Sequence, residues 1–466
     1  MVGSFFGLNI GLSALEASQL ALDTSAHNSA NAATPGYSRQ RVSLAAAAGF
    51  PYPTMAAGGQ VGQVGSGVSA SSISRVRDAF VDVQLRQETA RSGSWSARST
   101  ELQRLQDTFP EPGTSGLGAS LTRFWNSWQD LSADPGSSAA RSAVLQQAAG
   151  LATDLNRAAT QVNATITGEN EQVKQGVDSI NTLATQIASL NDQIKFVTTS
   201  GETPNDLLDQ RDQLFDKLSA LVPATYEAQK DGSVKVSIGG TDLVTEGTAR
   251  PMTTTTNATV GVVPMWDPTN PVVLGTGQLS QLIQLRDTDI PAYQARLDTL
   301  AAGIATAVNV AHQGGFDQDG NAGLAVFVPS SGSAITAATI SLNPDLVGNP
   351  RKVAAAAKTG AAGDGSVAGA IADLQTGTVV SGQQPGDFYA SLVGDLGADA
   401  SNATTMQQNQ DLVVQHLQTR RESLSGVSLD EEATDMVRYQ RMYQAAARVI
   451  TMMDQNLDTL INSMGK

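Results

Sequence analysis

Residues 436–464 read MVRYQRMYQAAARVITMMDQNLDTLINSM, and Met436, Tyr439, Tyr443, Ala446, Ile450, Met453, Leu457, Leu460 and Met464 alternate steps of three and four without a break. A 3.5-residue repeat keeps one stripe turned toward a partner helix. The matching half lies at the other end of the chain. There Phe5, Leu8, Leu12, Leu15, Gln19, Leu22, Ala26 and Ser29 make the same alternation, fading from bulky to small. The two segments are therefore expected to pair as coiled-coil helices that bring the termini together. Ordering them costs conformational entropy that their apolar burial barely offsets. The pair is thus expected to be poorly ordered alone and to become helical where neighbouring copies cover it, leaving an isolated chain ordered from about Gln60 to Leu424. Docking of both segments on the chain's own core is the plainer alternative.

Inward from the ends, Pro35 and Gly36 stop the first helix. The Ala, Gly and Ser-rich residues from Ala45 to Ser72 read as an extended hairpin or linker. Helices are expected over Asp78–Asp107, Gly116–Ser132, Ala139–Val197 and Asn205–Leu221, where Pro223 ends the last. Alternation around Asp231-Gly232 and Gly239-Gly240 predicts hairpins, continued by the Thr-rich stretch from Met252 to Val273. Gln278 to His312 returns to helix, Gly314 to Gln384 reads as a second small β-rich portion with a strand at Thr339–Leu342, and Phe388 to Leu424 is a further helix. Ser428 and Glu431 form a capping box that opens the terminal one.

The expected fold is mainly α with a β-rich insertion: paired terminal coiled-coil helices, a long helical bundle and a small outer β-rich domain. The corresponding parts are 1–59 with 425–466, then 60–223 with 276–314 and 388–424, then 224–275 with 315–387.

Composition limits the function. The 466 residues contain no cysteine, which fits a protein kept clear of thiol chemistry outside the cell. A net charge of -15, without clustered Lys or Arg, argues against a nucleic-acid surface. The first Lys or Arg is Arg39, so the N-terminus does not read as a secretory signal, and no apolar run has membrane-spanning length. His27, His312 and His416 lack ligand spacing. Asp317, Asp319 and Asn321 imitate the start of a calcium loop, but Val328 stands where a bidentate Glu is required, so this reads as a turn. Gly65-Ser-Gly-Val-Ser-Ala70 has no strand, helix and acidic partner to frame a dinucleotide loop. No nucleophile has an identifiable base. No catalytic, metal or cofactor residue is therefore assigned, and the chain is not expected to be an enzyme.

Residues 28 to 41, Asn28-Ser-Ala-Asn-Ala-Ala-Thr-Pro-Gly-Tyr-Ser-Arg-Gln-Arg41, resemble the N-terminal signature of the bacterial flagellar axial proteins. Those rod, hook and hook-associated proteins end their first heptad helix with Asn-x-Ala-Asn-x-x-Thr-x-Gly-aromatic. Four further stretches are similar to the hook-associated proteins of the hook–filament junction. They are Asn205-Asp-Leu-Leu-Asp-Gln-Arg-Asp-Gln-Leu214; the run Arg286 to Gly323, with Asp298-Thr-Leu-Ala-Ala, Ala307-Val-Asn and Gly315-Phe-Asp-Gln-Asp-Gly-Asn-Ala-Gly; Leu429-Asp-Glu-Glu-Ala433; and Tyr439-Gln-Arg-Met-Tyr-Gln-Ala-Ala-Ala447. The likeness is weakest over Thr245–Gly275 and Pro329–Gln384, and Ser29 and Ala33 depart from the usual aliphatic residue and Asn.

The resemblance implies a structural adaptor joining hook to filament outside the cell, exported largely unfolded by the flagellar type III apparatus without cleavage. Its implied partners are copies of itself in a ring, the hook protein, the second hook-associated junction protein, and an export chaperone on the C-terminal helix. Neither nucleic acid nor membrane insertion is implied. The terminal helices would form the inner tube, the bundle the next shell and the β-rich part the outside. The expected assembly interface combines the stripes with the signature: Leu8, Leu12, Leu15, Leu22, Asn28, Asn31, Thr34, Gly36, Tyr37, Met436, Tyr439, Tyr443, Ile450, Met453, Leu457 and Leu460. Asn28 and Asn31 suit either local capping or a bond to a neighbour. The hydroxyls of Tyr439 and Tyr443 suit a partly wet seam. A hook or filament subunit, or an extracellular adhesin with a helical stalk, are the alternatives.

Overall fold

The computed structural model describes residues 6–49, 65–111, 113, 116–258 and 260–463. Phe5, Met464 and the side chain of Leu460, three members of the predicted stripes, lie outside the described residues.

Helices dominate, close to the limits their periodicity predicts. α1 (Phe6–Ala30) ends before Pro35, and β1 (Gln40–Ala46) and β2 (Val68–Arg75) form an antiparallel ribbon from Gln40 opposite Arg75 to Ala46 opposite Val68. α2 (Ala79–Asp107), α3 (Leu117–Ala133), α4 (Ser138–Thr199) and α5 (Asn205–Leu221) follow. β3 (Ala224–Ala228), β4 (Val234–Ile238), β5 (Thr241–Thr245) and β6 (Thr248–Ala249) make a four-stranded antiparallel meander. β7 (Thr253–Asn257), β8 (Gly261–Asp267) and β9 (Asn270–Pro271) make a three-stranded one.

Where a single helix is predicted over 278–312, α6 (Gln278–Gln284) and α7 (Ile290–Gln313) are joined by a π-helical turn, Leu285–Asp289. The wider turn carries buried Arg286 and half-buried Asp289, and such turns often mark a local constraint on the helix. Arg286 donates to Asn170 Oδ1 at 3.0 Å and to the Val262 carbonyl, and Asp289 pairs with Arg98. β10 (Phe327–Pro329) pairs with β11 (Ile340–Leu342), and α8 (Ser366–Ala372), α9 (Pro385–Ser425) and α10 (Leu429–Ser463) complete the chain.

Contacts group the chain into two compact units, 1–90 with 180–251 and 411–466, and 91–179 with 252–410. This differs from the three parts expected from composition, and the reason is where the strands are tied. In the first unit buried Asn191 of α4 brackets β4, donating to the Val234 carbonyl at 2.8 Å and accepting its N–H at 3.1 Å. Arg211 of α5 donates to the same amide and to the Gly232 carbonyl, and burial lowers its guanidinium pKa to about 10. In the second unit Asn170 Oδ1 takes the Val262 N–H at 2.8 Å. The predicted β-rich stretch 224–275 is thus divided between two units. The stretch 315–387 is not a separate outer β domain either, because its Phe327, Ile340, Leu346 and Val353 share one core with the helices.

That second core centres on α3, where Phe124, Trp125 and Trp128 stack edge to face, and Phe124 meets Phe327 with centroids 5.7 Å apart. Asn309 of α7 holds the start of β10, accepting the N–H groups of Val326 and Phe327 at 2.7 and 2.9 Å and donating to the Phe327 carbonyl. His312 accepts the Ala354 N–H at Nε2, so Nδ1 carries the proton donated to the Leu324 carbonyl. Burial holds this imidazole neutral by lowering its pKa to about 4. The residues resembling a calcium loop form the expected turn, in which Asp317 Oδ1 accepts the N–H groups of Asp319 and Asn321 at 2.8 Å.

Glu169 of α4 is fully buried beside the carboxyl of Glu101. Burial, together with the nearby charge of Glu101 on α2, pushes its pKa up to about 9. The folded state therefore binds a proton that the unfolded chain releases above the ordinary carboxyl value of 4.5. This contribution is fully present below that value and is lost as the pH rises through about 9. Thermal unfolding of the second unit is expected to shift downward between pH 5 and 9. Glu169→Gln should remove that part of the slope, and an unchanged slope in the variant would assign it elsewhere.

Candidate assembly interface

α1 and α10 run antiparallel within one chain, and the register differs by one residue from the leucine stripe. The seam side of α1 is Gly7, Gly11, Ala14, Ser18, Ala21, Ser25 and Asn28, a second alternation of four and three. A Cβ on Gly7 would meet Met453 Cε at 2.6 Å. A Cβ on Gly11 would come within 2.8 Å of Ile450 Cγ1 and 3.6 Å of the Ile450 nitrogen, so the two backbones approach closely. Ala21 packs with Val42 and Tyr439, and Ser25 donates to Glu432. Leucines on that face would hold the helices apart.

The expected interface residues are placed accordingly. Leu8, Leu15 and Leu22 are half-buried on the flank of the seam, while Leu12 is 46 % exposed. On α10 the predicted stripe does face α1. Tyr439 and Ala446 are buried, Met436, Ile450, Met453 and Leu457 half-buried, and Tyr443 exposed. The Tyr439 hydroxyl receives Arg438 at 2.9 Å.

The signature after α1 is a set of polar ties. Asn28, 1 % exposed, donates to the Gln40 carbonyl at 2.8 Å, and its Oδ1 accepts the Gln40 N–H at 2.9 Å and the Tyr37 hydroxyl at 2.7 Å. It therefore acts as a surrogate strand edge for β1 rather than as a helix cap. Asn31 is the capping residue, donating to the His27 carbonyl at 3.1 Å and accepting the exposed Thr34 hydroxyl at 3.2 Å. Gly36 has φ +77, a left-handed angle that favours glycine, and a Cβ there would also displace the Gln213 side chain. Burial, then the carboxylates of Asp206, Asp209 and Glu432, raise the Tyr37 phenol pKa, keeping it protonated as the donor to Asn28.

Arg39 closes the seam. Its Nε donates to Glu432 at 2.6 Å, and its Nη atoms reach Glu431 at 2.5 Å and Asp435 at 3.5 Å, all on the first turns of α10. Acidic groups suit a helix N-terminus, and Ser428 Oγ accepts the Glu431 N–H there at 3.4 Å. The stretch 205–214 supplies the floor. Asn205, Asp209, Asp212 and Asp216 recur along one face of α5. Asp209 takes the Ser38 N–H and hydroxyl at 2.8 Å and Arg75 at 2.6 Å. Asp212 receives Arg75, Arg77 and Arg86, which lower its carboxyl pKa although burial alone would raise it. Asp216 receives Arg86 and Arg421.

Sequence reasoning missed Ser25, Arg39, Asp209 and Glu432 as site residues, although all but Ser25 lie inside quoted motifs. Their signal was the i, i+3/i+4 spacing of acids on α5 and the acidic opening of α10. Asn28→Ala would strip partners from the Gln40 N–H and carbonyl and from the Tyr37 hydroxyl. At about 1–3 kcal/mol per unsatisfied buried group, a loss of roughly 3 kcal/mol or more is expected in denaturant unfolding of the first unit. Thr34→Ala, at an exposed position, should stay within about 0.5 kcal/mol.

Comparison with known proteins bears on the same segments. Residues 102–327 match the flagellar hook-associated protein FlgK helical domain, and residues 421–464 match the flagellar basal body rod FlgEFG protein C-terminal family. Flagellar hook-associated protein 1 of Bacillus subtilis is 31 % identical, covering 100 % of this chain and 99 % of its own length. The Escherichia coli protein of that name is 29 % identical over 98 % of this chain and 99 % of its own. The solved structure of the flagellar hook junction protein FlgK from Burkholderia pseudomallei has the same fold, with a TM-score of 0.65 at 17 % identity, over 74 % of this chain and 100 % of that one. A relative that is 31 % identical from end to end, together with these matches, places the chain in the flagellar hook-associated protein 1 family.

Proposed function

We propose that the chain is a structural adaptor of the bacterial flagellum that joins hook to filament and is incorporated through its paired terminal helices. The observation that carries the reading is the terminal pair itself: a close antiparallel seam, locked at one end by Arg39 and Ser25, that leaves apolar side chains such as Leu12, Met442 and Met452 exposed. A chain that builds so specific a pair at its two ends and leaves the flanks uncovered is suited to being covered by neighbours. The match of 102–327 to the hook-associated helical domain favours a junction protein over a hook or filament subunit. The adaptor stands outside the cell at the junction, reached by flagellar type III export without a cleaved signal. It contacts copies of itself, the hook protein and the second hook-associated junction protein. An export chaperone engages α10 before assembly. The role is mechanical, and no reaction is assigned to it.

Leu457 and Gln455 test the reading. Leu457 is half-buried on the α10 stripe and Gln455 is exposed off it. Leu457→Asp places a charge in an apolar seam and is expected to abolish attachment to purified hooks, seen by electron microscopy as undecorated hook ends, with thermal unfolding of the second unit unchanged. Gln455→Asp should attach normally. Normal attachment of both variants would remove the terminal pair as the assembly element.

A further inference from the structure

We infer that the terminal pair carries a lateral docking surface for a second copy of this chain, in which the acidic outer face of α1 meets the basic outer face of the neighbour's α10. The inference rests on the adaptor reading and adds to it the groups that dock. On α1 the positions diametrically opposite the seam are those two residues after Gly7, Ala14 and Ala21, and they include Glu16 and Asp23, the only acidic residues of a helix without Lys or Arg. On α10 the corresponding outer positions include Arg441 and Arg448, in a stretch from Met436 to Met453 that holds three arginines and no acid. Arg438, the third arginine, is engaged with Asp435 at 3.1 Å. Glu16, Asp23, Arg441 and Arg448 are all exposed, and none has a hydrogen-bond or ion-pair partner among the described residues. Two like charges seven residues apart on each side, negative on α1 and positive on α10, thus point away from the same helix pair in opposite directions.

The spacing fixes one register. Within the chain Gly7 lies level with Met453 and Ala21 with Tyr439, which sets Glu16 level with Gln444 and Asp23 level with Val437. Arg448 and Arg441 stand four residues farther along α10 in both cases. One axial shift of about 6 Å, four residues at the helical rise, therefore brings Glu16 opposite a neighbour's Arg448 and Asp23 opposite its Arg441 at once. The same shift sets exposed Leu12 level with exposed Met452, giving the charged contact an apolar companion. Because the two faces differ and point apart, the contact is head to tail and propagates from copy to copy, each neighbour displaced along the axis. Complementary charge of this kind steers partners and sets register.

The test uses the full chain with Glu16→Lys/Asp23→Lys as one variant and Arg441→Glu/Arg448→Glu as the other. Self-association is followed by light scattering at low salt, and hook decoration by electron microscopy. Each double variant is expected to lose self-association by roughly tenfold, more at low than at high ionic strength. Thermal unfolding should match the parent, since all four positions are exposed. The chain carrying all four changes should recover, and so should an equal mixture of the two double variants, in which every contact again joins opposite charges. Recovery of the mixture cannot arise within one chain. Undiminished association of the double variants, or failure of both the fourfold variant and the mixture to recover, overturns the docking surface. Failure of the parent to decorate hooks would instead overturn the adaptor reading, with light scattering still deciding the docking.

Discussion

The terminal pair depends on how closely α1 can approach α10. Glycine at positions 7 and 11 and Ala or Ser at 14, 18, 21 and 25 leave no side chain long enough to separate the backbones. The heavy side chains come almost wholly from α10, whose Tyr439, Ile450 and Met453 fill the space against this smooth face. Such packing favours one register, because a slip of one residue would present leucines to a seam without room for them. It also leaves Leu8, Leu12 and Leu15 along a flank that a single chain does not fully cover.

Polar chemistry locks what packing aligns. Glu432 is only 2 % exposed, and Arg39 and Ser25 both meet its carboxylate. Removing either partner of such a pair leaves a buried charge uncompensated, which costs far more than the pair contributes on its own. The same economy recurs on α5, where Asp209 and Asp212 are shared by backbone, serine and arginine groups from the ribbon and α2. These are ties between segments distant in sequence, and they bind the motif at 28–41 to those at 205–214 and 429–433. In the second unit buried polar groups play a similar part, with Asn170, Asn309 and neutral His312 each bracketing backbone that would otherwise lie unpaired.

Element limits were legible in the sequence because they rest on local rules. Pro35 stops α1, Pro223 follows α5, the Thr-rich residues form β7, and the strand after it, β8, alternates in burial. The α10 stripe was legible for the same reason. The α1 face was not, because hydrophobic periodicity marks the largest side chains, and here the seam is built from the smallest; the small-residue heptad lay one position away from the stripe that bulk singles out. The role of Asn28 was likewise hidden, since an amide at a helix end reads as a cap unless the strand it pairs with is known. Domain division failed for a related reason. Composition marks a β-rich stretch at 224–275, but Asn191 and Asn170, sited far apart on one long helix, tie its two halves to different units.

The family relation and the seam meet in one physical picture, a hook-associated protein whose α1 and α10 make a single structural element. Its central claim is the antiparallel pairing in the small-residue register, and the absence of cysteine makes that directly measurable. Ala14 and Ala446 stand opposite in this register, whereas Leu15 belongs to the flank. The measurement is the yield of intrachain disulfide in a dilute, oxidised chain carrying Ala14→Cys with Ala446→Cys, compared with Leu15→Cys with Ala446→Cys. The account predicts a high yield for the first pair and little for the second. A high yield for the Leu15 pair, or none for either, would contradict it.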